Sequence, residues 1–146
     1  MSETTHLVCP HCHTINRLRA ARLVDRPACG RCHEPLFEGH PIVLTSADFD
    51  LFAGRSDIPL VVDFWAPWCG PCQVMAPAFE QSAALLEPRC RLAKVNTEEE
   101  AALASRFGIR SIPTLALFHR GREVARRSGT MGTRDIVRWT LDHAAP

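Results

Sequence analysis

The residues of this sequence best suited to carry out chemistry are its seven cysteines. Six of them form pairs with two residues between the partners. The pairs are Cys9/Cys12, Cys29/Cys32 and Cys69/Cys72. Cysteine thiolates either coordinate a soft metal such as zinc or exchange electrons with disulfides. Because seven is an odd number, complete internal disulfide pairing is impossible, and metal binding and redox catalysis are the chemistries to weigh.

The third pair has the sequence context of a redox centre. The apolar stretch Leu60–Ala66 predicts a buried strand, and the residues after Cys69 predict a helix. Unpaired N–H groups and the positive end of the helix dipole would favour the thiolate form of Cys69, which predicts that it is the attacking nucleophile. Cys72 lies one helical turn further on and is predicted to be the resolving thiol. Pro71 suits the first turn, where its missing N–H would have no partner.

Two tryptophans flank this pair. Trp68 adjoins the reactive sulfur and offers a flat apolar surface on which a partner protein could rest. For Trp65, packing in the core is an equally good interpretation.

The first two pairs predict a metal site. They are separated by 16 residues, as expected when two knuckles supply four thiolates to one tetrahedral zinc ion. Four sulfur ligands leave no position for water, so the zinc would be structural and would stabilise a segment too small to form its own core. The alternative, two further dithiol redox sites, is disfavoured because neither pair stands between a buried strand and a helix. The nearby histidines are expected at the surface: His11, His13 and His33.

Composition narrows the classes of function. The chain has 146 residues, of which 46% are apolar and 23% charged, as in ordinary globular proteins. The formal net charge is +1, and residues 1–40 carry five basic and four acidic side chains, so neither nucleic acid nor a membrane surface is an expected partner. The first residues lack the pattern of a signal peptide, and the apolar runs are too short to span a bilayer. We therefore expect a cytoplasmic protein, in a compartment that keeps thiols reduced.

The residue pattern changes near residue 40, where two prolines and a glycine discourage regular structure. We predict a zinc-ribbon domain over 1–36, a linker over 37–41 and a second domain over 42–146. In the second domain apolar strands alternate with amphipathic helices, which predicts an α/β fold with helices packed on a sheet. The predicted helix N-caps are Ser46, Thr97 (with Glu100 in a capping box) and Thr133.

The segment Asp63-Phe64-Trp65-Ala66-Pro67-Trp68-Cys69-Gly70-Pro71-Cys72, together with Ile112-Pro113-Thr114, resembles the thioredoxin family over residues 41–143. The resemblance implies a thioredoxin fold, which is a central mixed β-sheet flanked by helices. It also implies reduction of protein disulfides, with regeneration by an NADPH-dependent thioredoxin reductase. A two-knuckle segment before such a domain is similar to the zinc-bearing thioredoxin-2 type of bacterial members, whose ribbon could respond to oxidation.

The resemblance also assigns roles to single residues. Asp63 corresponds to the buried aspartate of the family; burial would raise its pKa and let it take the proton of Cys72, directly or through water. Lys94 corresponds to the lysine paired with that aspartate, although from the residues alone a solvated strand-end lysine fits as well. Pro113 corresponds to the cis-proline beside the active site. The residues implied in substrate binding are Trp68, Gly70, Pro71, Ile112 and Pro113.

Other classes of function stay open at this point. An oxidant or isomerase of the protein disulfide isomerase kind is one, but Gly70-Pro71 between the cysteines resembles the reducing members. A zinc-dependent binding or chaperone module is another, against which the intact redox residues argue. Cys90 is expected to be a buried apolar thiol rather than a regulatory or dimer-forming one. The expected partners are thioredoxin reductase and disulfide-containing client proteins, and the expected state is a monomer.

Overall fold

A computed structural model of the chain describes residues 3–144. The amino-terminal part contains strands β1 (Thr4–Val8) and β2 (Ile15–Arg19), paired antiparallel, followed by a 3-10 helix (Ala20–Asp25). A second set of elements follows from residue 42. It comprises β3 (Ile42–Val43), α1 (Phe49–Arg55), β4 (Leu60–Trp65), α2 (Gly70–Leu86), β5 (Arg91–Asn96), α3 (Ala101–Arg106), β6 (Thr114–His119), β7 (Arg122–Ser128) and α4 (Thr133–His143). None of the described helices meets the length and hydropathy needed to cross a membrane.

These elements form one five-stranded mixed sheet with the strand order β3-β5-β4-β6-β7. Strands β3, β5 and β4 are parallel, whereas β6 runs antiparallel to β4 and β7 antiparallel to β6. Helices separate the parallel strands because a parallel pair needs a crossover connection. The expected α/β architecture, a mixed sheet flanked by helices, is confirmed.

Strand β4 is central and apolar because both of its faces are covered. Val62 and Phe64 point into a core with Phe49 and Phe52 of α1. Val61 points to the other face, into a core formed with α2 and α4. Side chains alternate between the faces of a strand, so Asp63, two residues after Val61, lies on the α2 face.

The amino-terminal part packs at one end of the main sheet. The backbone N–H of His6 donates to Asp57 Oδ2 (2.8 Å), the N–H of Asp57 donates to the carbonyl of His6 (2.8 Å), and the N–H of Val8 donates to Ser56 Oγ (3.0 Å). Ser56 and Asp57 precede β4, so this contact lies at the amino-terminal end of β4. The six residues of β4 then carry the chain roughly 17 Å to the opposite end of the sheet.

The three predicted N-caps are wrong, because each side chain is engaged elsewhere. Helix α1 begins at Phe49, and Ser46 Oγ donates instead to Glu100 Oε1 (2.9 Å). Helix α3 begins at Ala101, and Thr97 Oγ1 donates to the carbonyl of Trp65 (3.0 Å). Thr133 is the first residue of α4 rather than its cap, and its hydroxyl lies 3.0 Å from Gln81 Oε1.

Candidate active site and metal centre

The pair Cys69/Cys72 lies at the amino terminus of α2, at the carboxyl end of β4. Cys69 is the N-cap residue, with an extended backbone, and the helix begins at Gly70 with Pro71 in its first turn. The N–H of Cys72 donates to Cys69 Sγ (3.2 Å), as an N-cap side chain requires. The sulfur of Cys69 therefore occupies the position where helix N–H groups stabilise negative charge.

The two sulfurs are joined in a disulfide, with 5.2 Å between the Cα atoms, so the structure describes the oxidised form of the pair. Both cysteines are nearly inaccessible, Cys69 with 4% and Cys72 with 3% of the residue surface exposed. They form a small apolar cluster with Ala66, against which Trp65 and Ile112 pack. Only a small part of either cysteine is therefore accessible to a client disulfide.

The loop before β6 lies directly beside Cys69. The carbonyl oxygen of Ile112 lies 3.8 Å from Cys69 Sγ, and the Ile112–Pro113 peptide bond is cis, as the resemblance implied. Pro113 is buried and Ile112 is half-buried. The loop thus places a backbone carbonyl beside the sulfur predicted to be the nucleophile.

Asp63 is a buried carboxyl without a hydrogen-bond partner. The residue is 1% exposed, and neither carboxyl oxygen has a partner among the described residues. Burial raises the pKa of Asp63 to about 7, and the charge of Lys94 lowers it without compensating. A carboxyl group with a pKa near neutrality can both accept and release a proton under physiological conditions.

Lys94 lies beside Asp63 in the sheet, since the two residues face each other in the β4–β5 register. Lys94 is half-buried, and its Nζ lies 4.5 Å from the centre of the Trp65 ring. This cation–π contact holds the Trp65 ring, at the carboxyl end of β4, against the neighbouring strand β5. Trp65 thus combines a packing role with a position beside the disulfide.

Trp68 is exposed, with 71% of its surface accessible, and Gly70 and Pro71 next to the disulfide are exposed as well. Val74, in the next turn of α2, is 75% exposed. Exposed aromatic residues beside a reactive group are typical of protein-binding surfaces.

At the opposite end of the molecule the structure brings Cys9, Cys12, Cys29 and Cys32 together. All four Sγ atoms lie within 4.8 Å of one another, and the Cys9–Cys32 and Cys12–Cys29 separations are both 3.6 Å. Zinc–sulfur bonds in tetrahedral geometry place sulfur atoms roughly 3.8 Å apart. The four thiol groups therefore fit one tetrahedral metal ion.

The two knuckles have the same backbone geometry. In the first, the N–H of His11 donates to Cys9 Sγ (3.3 Å) and the N–H of His13 to the carbonyl of Cys9 (2.9 Å). In the second, Arg31 and His33 make the corresponding bonds to Cys29, at 3.4 and 2.9 Å. Donors directed at sulfur stabilise thiolates, and a backbone bond from Cys32 is the largest effect lowering the pKa of Cys29, to about 5.

Two of the three nearby histidines, His11 and His13, contact carboxylates or rings of other segments. His11 lies 2.5 Å from Glu38 Oε1. His13 packs edge-on against Phe52 of α1, with 5.6 Å between ring centres. His13 and His33 occupy the left-handed backbone region that each knuckle requires, with φ near 64° and 67°.

The sequence analysis missed two residues beside the cysteine cluster. Asn16 Nδ2 lies 3.5 Å from Cys29 Sγ, and Asn16 Oδ1 accepts the N–H of Gly30 (2.9 Å). Arg91 is buried at the first position of β5, and the only sequence signal is an arginine between Cys90 and Leu92 at the start of an apolar strand. Cys90 itself is 1% exposed, and burial raises its pKa to about 11, so the expected buried thiol is confirmed.

Comparisons with known proteins cover both parts of the chain. Residues 40–142 match the family model described as Thioredoxin, and residues 8–34 match the model described as Thioredoxin 2, N-terminal. Thioredoxin C-3 of Corynebacterium nephridii is 42% identical over 133 residues, which cover 91% of each chain. The thioredoxin of Haemophilus influenzae is 37% identical over 68% of this chain and 94% of its own. The crystal structure of a Malassezia sympodialis thioredoxin superposes with a TM-score of 0.65 at 30% identity, over 70% of this chain and 90% of that one.

Proposed function

The chain belongs to the thioredoxin family and is a protein-disulfide reductase, and we propose that the Cys69/Cys72 dithiol reduces disulfides in client proteins. The observation that supports this most is the position of Cys69 as N-cap of α2 with Cys72 bonded to it. One sulfur can attack a client disulfide and the other can then displace the client, because both lie at the start of the same helix, three residues apart.

The proposed reaction has two exchange steps. The Cys69 thiolate attacks one sulfur of the client disulfide, forming a mixed disulfide and releasing the first client thiolate. The Cys72 thiolate then attacks Cys69 Sγ, forming the Cys69–Cys72 disulfide and releasing the second client thiolate. Two electrons pass to the client, and thioredoxin reductase returns them to the chain from NADPH.

Asp63 is proposed to take the proton of Cys72 before the second step. A thiol must lose its proton to attack, and the raised pKa of Asp63 makes it an effective base near neutral pH. Lys94 is proposed to adjust that pKa through its charge. We place the reaction in the cytoplasm, where the reduced thiol pool and NADPH favour this direction.

The client is proposed to bind over Trp68, Gly70 and Pro71 on one side and Ile112 and Pro113 on the other. This surface combines an exposed aromatic ring with a loop carbonyl near Cys69 Sγ. An extended client segment could therefore lie across the disulfide while its cystine sulfur meets Cys69.

Trp68→Ala should raise KM for insulin about tenfold and leave kcat nearly unchanged, as expected for a binding residue that does not touch the reacting sulfurs. Steady-state reduction of insulin measures both constants. Val24→Ala is the matched control, because it removes an equally exposed apolar side chain (75%) from the amino-terminal part. An unchanged KM for Trp68→Ala would contradict the proposed docking surface.

The coupled assay with thioredoxin reductase tests the proposed function as a whole. Insulin reduction should consume NADPH only when reductase, this chain and insulin are all present. An oxidant or isomerase would instead form disulfides in reduced ribonuclease faster than it reduces insulin. A binding module would show neither activity.

For the amino-terminal part we propose a ribbon domain over residues 1–36 that holds one structural zinc ion through Cys9, Cys12, Cys29 and Cys32. The spacing of the four sulfurs and the two equivalent knuckles support this assignment. The bound metal would supply folding energy to a segment with few large apolar side chains. We propose residues 37–41 as the linker and 42–146 as the reductase domain.

Removing zinc should leave insulin reduction within about twofold of its starting rate, because distant sites behave independently. The ribbon contacts the amino-terminal end of β4, whereas Cys69 follows its carboxyl end. Peroxide titration with a zinc-release dye, run in parallel with the insulin assay, measures both quantities. Activity that falls in step with zinc release would instead support a regulatory ribbon.

A further inference from the structure

Arg91 is a buried cation that has no part in the exchange reaction. It is 2% exposed and is the first residue of β5, at the end of the sheet opposite to Cys69. Burial lowers the pKa of Arg91 only to about 10, so its guanidinium group is charged at neutral pH. Placing a charge in the interior costs several kcal/mol unless opposite charge and hydrogen bonds compensate it. We therefore expect hydrogen-bond acceptors and negative charge around the Arg91 guanidinium group.

The direct contacts of Arg91 connect β5 with the end of the ribbon segment. Its Nη2 donates to the carbonyl of Leu36 (2.8 Å), and its guanidinium carbon lies 4.6 Å from the centre of the Phe37 ring. On the other side it faces Phe52 of α1, at 6.0 Å. Its Nε has no partner among the described residues. Arg91 thus lies in the interface between ribbon and sheet, and one of its donors is not used by the protein.

Three groups near Arg91 favour its charged form when they are ionised: Glu87, Cys9 and Glu38. Glu87 is partly committed elsewhere, since its Oε1 accepts the N–H of Gly39 (2.9 Å) and burial raises its pKa. Glu38 is exposed and lies 2.5 Å from His11. Cys9 is fully buried and shares a core with Leu36. Cys9 therefore shares the interior with the carbonyl that Arg91 binds, and as a zinc-bound thiolate it would be a buried anion beside this cation.

We propose that Arg91 is the buried counter-charge of the metal centre and thereby couples metal binding to the docking of the ribbon on the sheet. The inference rests on the proposed zinc site. One Zn²⁺ ion with four thiolates carries a net charge of −2, which a guanidinium group buried in the same interior would stabilise. Outer residues of this kind contribute to metal affinity although they do not touch the metal. By linkage, metal and docked ribbon strengthen each other by the same factor.

The proposal predicts weaker zinc binding when Arg91 loses its charge. In the full-length chain, zinc affinity is measured by competition with a chelator of known affinity. Arg91→Met should weaken it 10- to 100-fold, the range usual for such outer residues, and Arg91→Lys should weaken it less because the charge remains. Arg89→Met is the matched control: it removes the same charge from an exposed position two residues away and should leave zinc affinity unchanged.

Hydrogen exchange tests the second half of the proposal. The amides of Val8 and Asp57 bond across the interface, so they report on docking. Both should exchange faster in the wild-type chain once zinc is removed, and faster in Arg91→Met even when zinc is saturating.

Equal zinc affinity in Arg91→Met and in the wild type would overturn the proposal. If Arg91→Met does not fold, hydrogen exchange in the wild-type chain tests the proposal instead. Unchanged exchange of the Val8 and Asp57 amides after zinc removal would overturn the proposal. A wild-type chain that binds no zinc also overturns the proposal. In that case the measured metal content shows that the proposed zinc site was wrong, which is distinct from a failure of the role assigned to Arg91.

Discussion

Cys69→Ser should reduce the rate of insulin reduction by at least about a thousandfold, the scale on which enzymes respond to loss of a covalent nucleophile. A serine hydroxyl is scarcely ionised near neutral pH, even at the amino terminus of α2, and cannot form the mixed disulfide. Cys69 is the N-cap of α2, a position that serine favours, and the two side chains have the same shape, so the substitution should leave the fold intact. The turbidity of reduced insulin measures the rate, and circular dichroism checks the fold.

Cys72→Ser should behave differently, and the contrast assigns the two roles. The variant keeps the nucleophile, so it should attack the client once and remain attached through Cys69. Mass spectrometry without reductant should show one covalent client per chain. Cys90→Ser is the control, because that thiol is buried away from the site and should alter neither rate nor adduct. Adducts at equal yield in Cys69→Ser and Cys72→Ser would contradict the assignment.

Asp63→Asn should stabilise the oxidised chain at pH 8 by up to about 4 kcal/mol. The pKa of Asp63 is about 7 in the folded protein, against an ordinary value of 3.8. Between these values the folded state keeps a proton that the unfolded chain has lost, so the free energy of unfolding falls as pH rises from about 4 to 7. Each unit of difference in pKa corresponds to about 1.4 kcal/mol. The neutral amide of Asp63→Asn does not ionise, so its free energy of unfolding does not fall in this way as pH rises. The variant and the wild type should therefore differ little in stability near pH 4.

Urea unfolding at pH 4, 6 and 8 measures the effect. Asp50→Asn is the matched control: Arg106 lowers the pKa of Asp50, so its replacement should give no gain in stability at pH 8. An Asp63→Asn protein with the same pH dependence as the wild type would show that Asp63 is ionised throughout.

The same variant tests the proposed proton transfer. Stopped-flow turnover should show that Asp63→Asn slows resolution of the mixed disulfide more than its formation, because only the second step requires Cys72 to lose a proton. An unchanged rate for both steps would rule Asp63 out as the base. A more stable but slower variant would indicate that the buried carboxyl is retained for chemistry at a cost in stability.

Much of the fold could be predicted because its signals are local. Leu60–Ala66 is apolar except for Asp63 because β4 is covered on both faces, and the cysteine spacing alone grouped the four ribbon sulfurs. The failures came from tertiary hydrogen bonds. Thr97 has an ideal capping pattern, but its hydroxyl bonds to Trp65, and no local rule contains that partner.

The position of the ribbon could not be predicted for the same reason. It depends on bonds such as Val8 to Ser56, between residues 48 positions apart in the sequence. Arg91 was missed because a single arginine at the start of a strand is usually solvated, and only the packing of Leu36 and Phe37 over it makes it buried.

Strand β7 limits how this protein can associate with others. It is an edge strand, and six of its seven residues are exposed, among them Arg122, Arg126 and Arg127. Arg126 is paired with Glu123 of the same strand, whereas Arg122 and Arg127 repel the same edge of a second copy and discourage continuous growth of the sheet between molecules. Concentrated solutions should therefore resist fibril formation, and substituting Arg127 with an uncharged β-branched residue would weaken that protection.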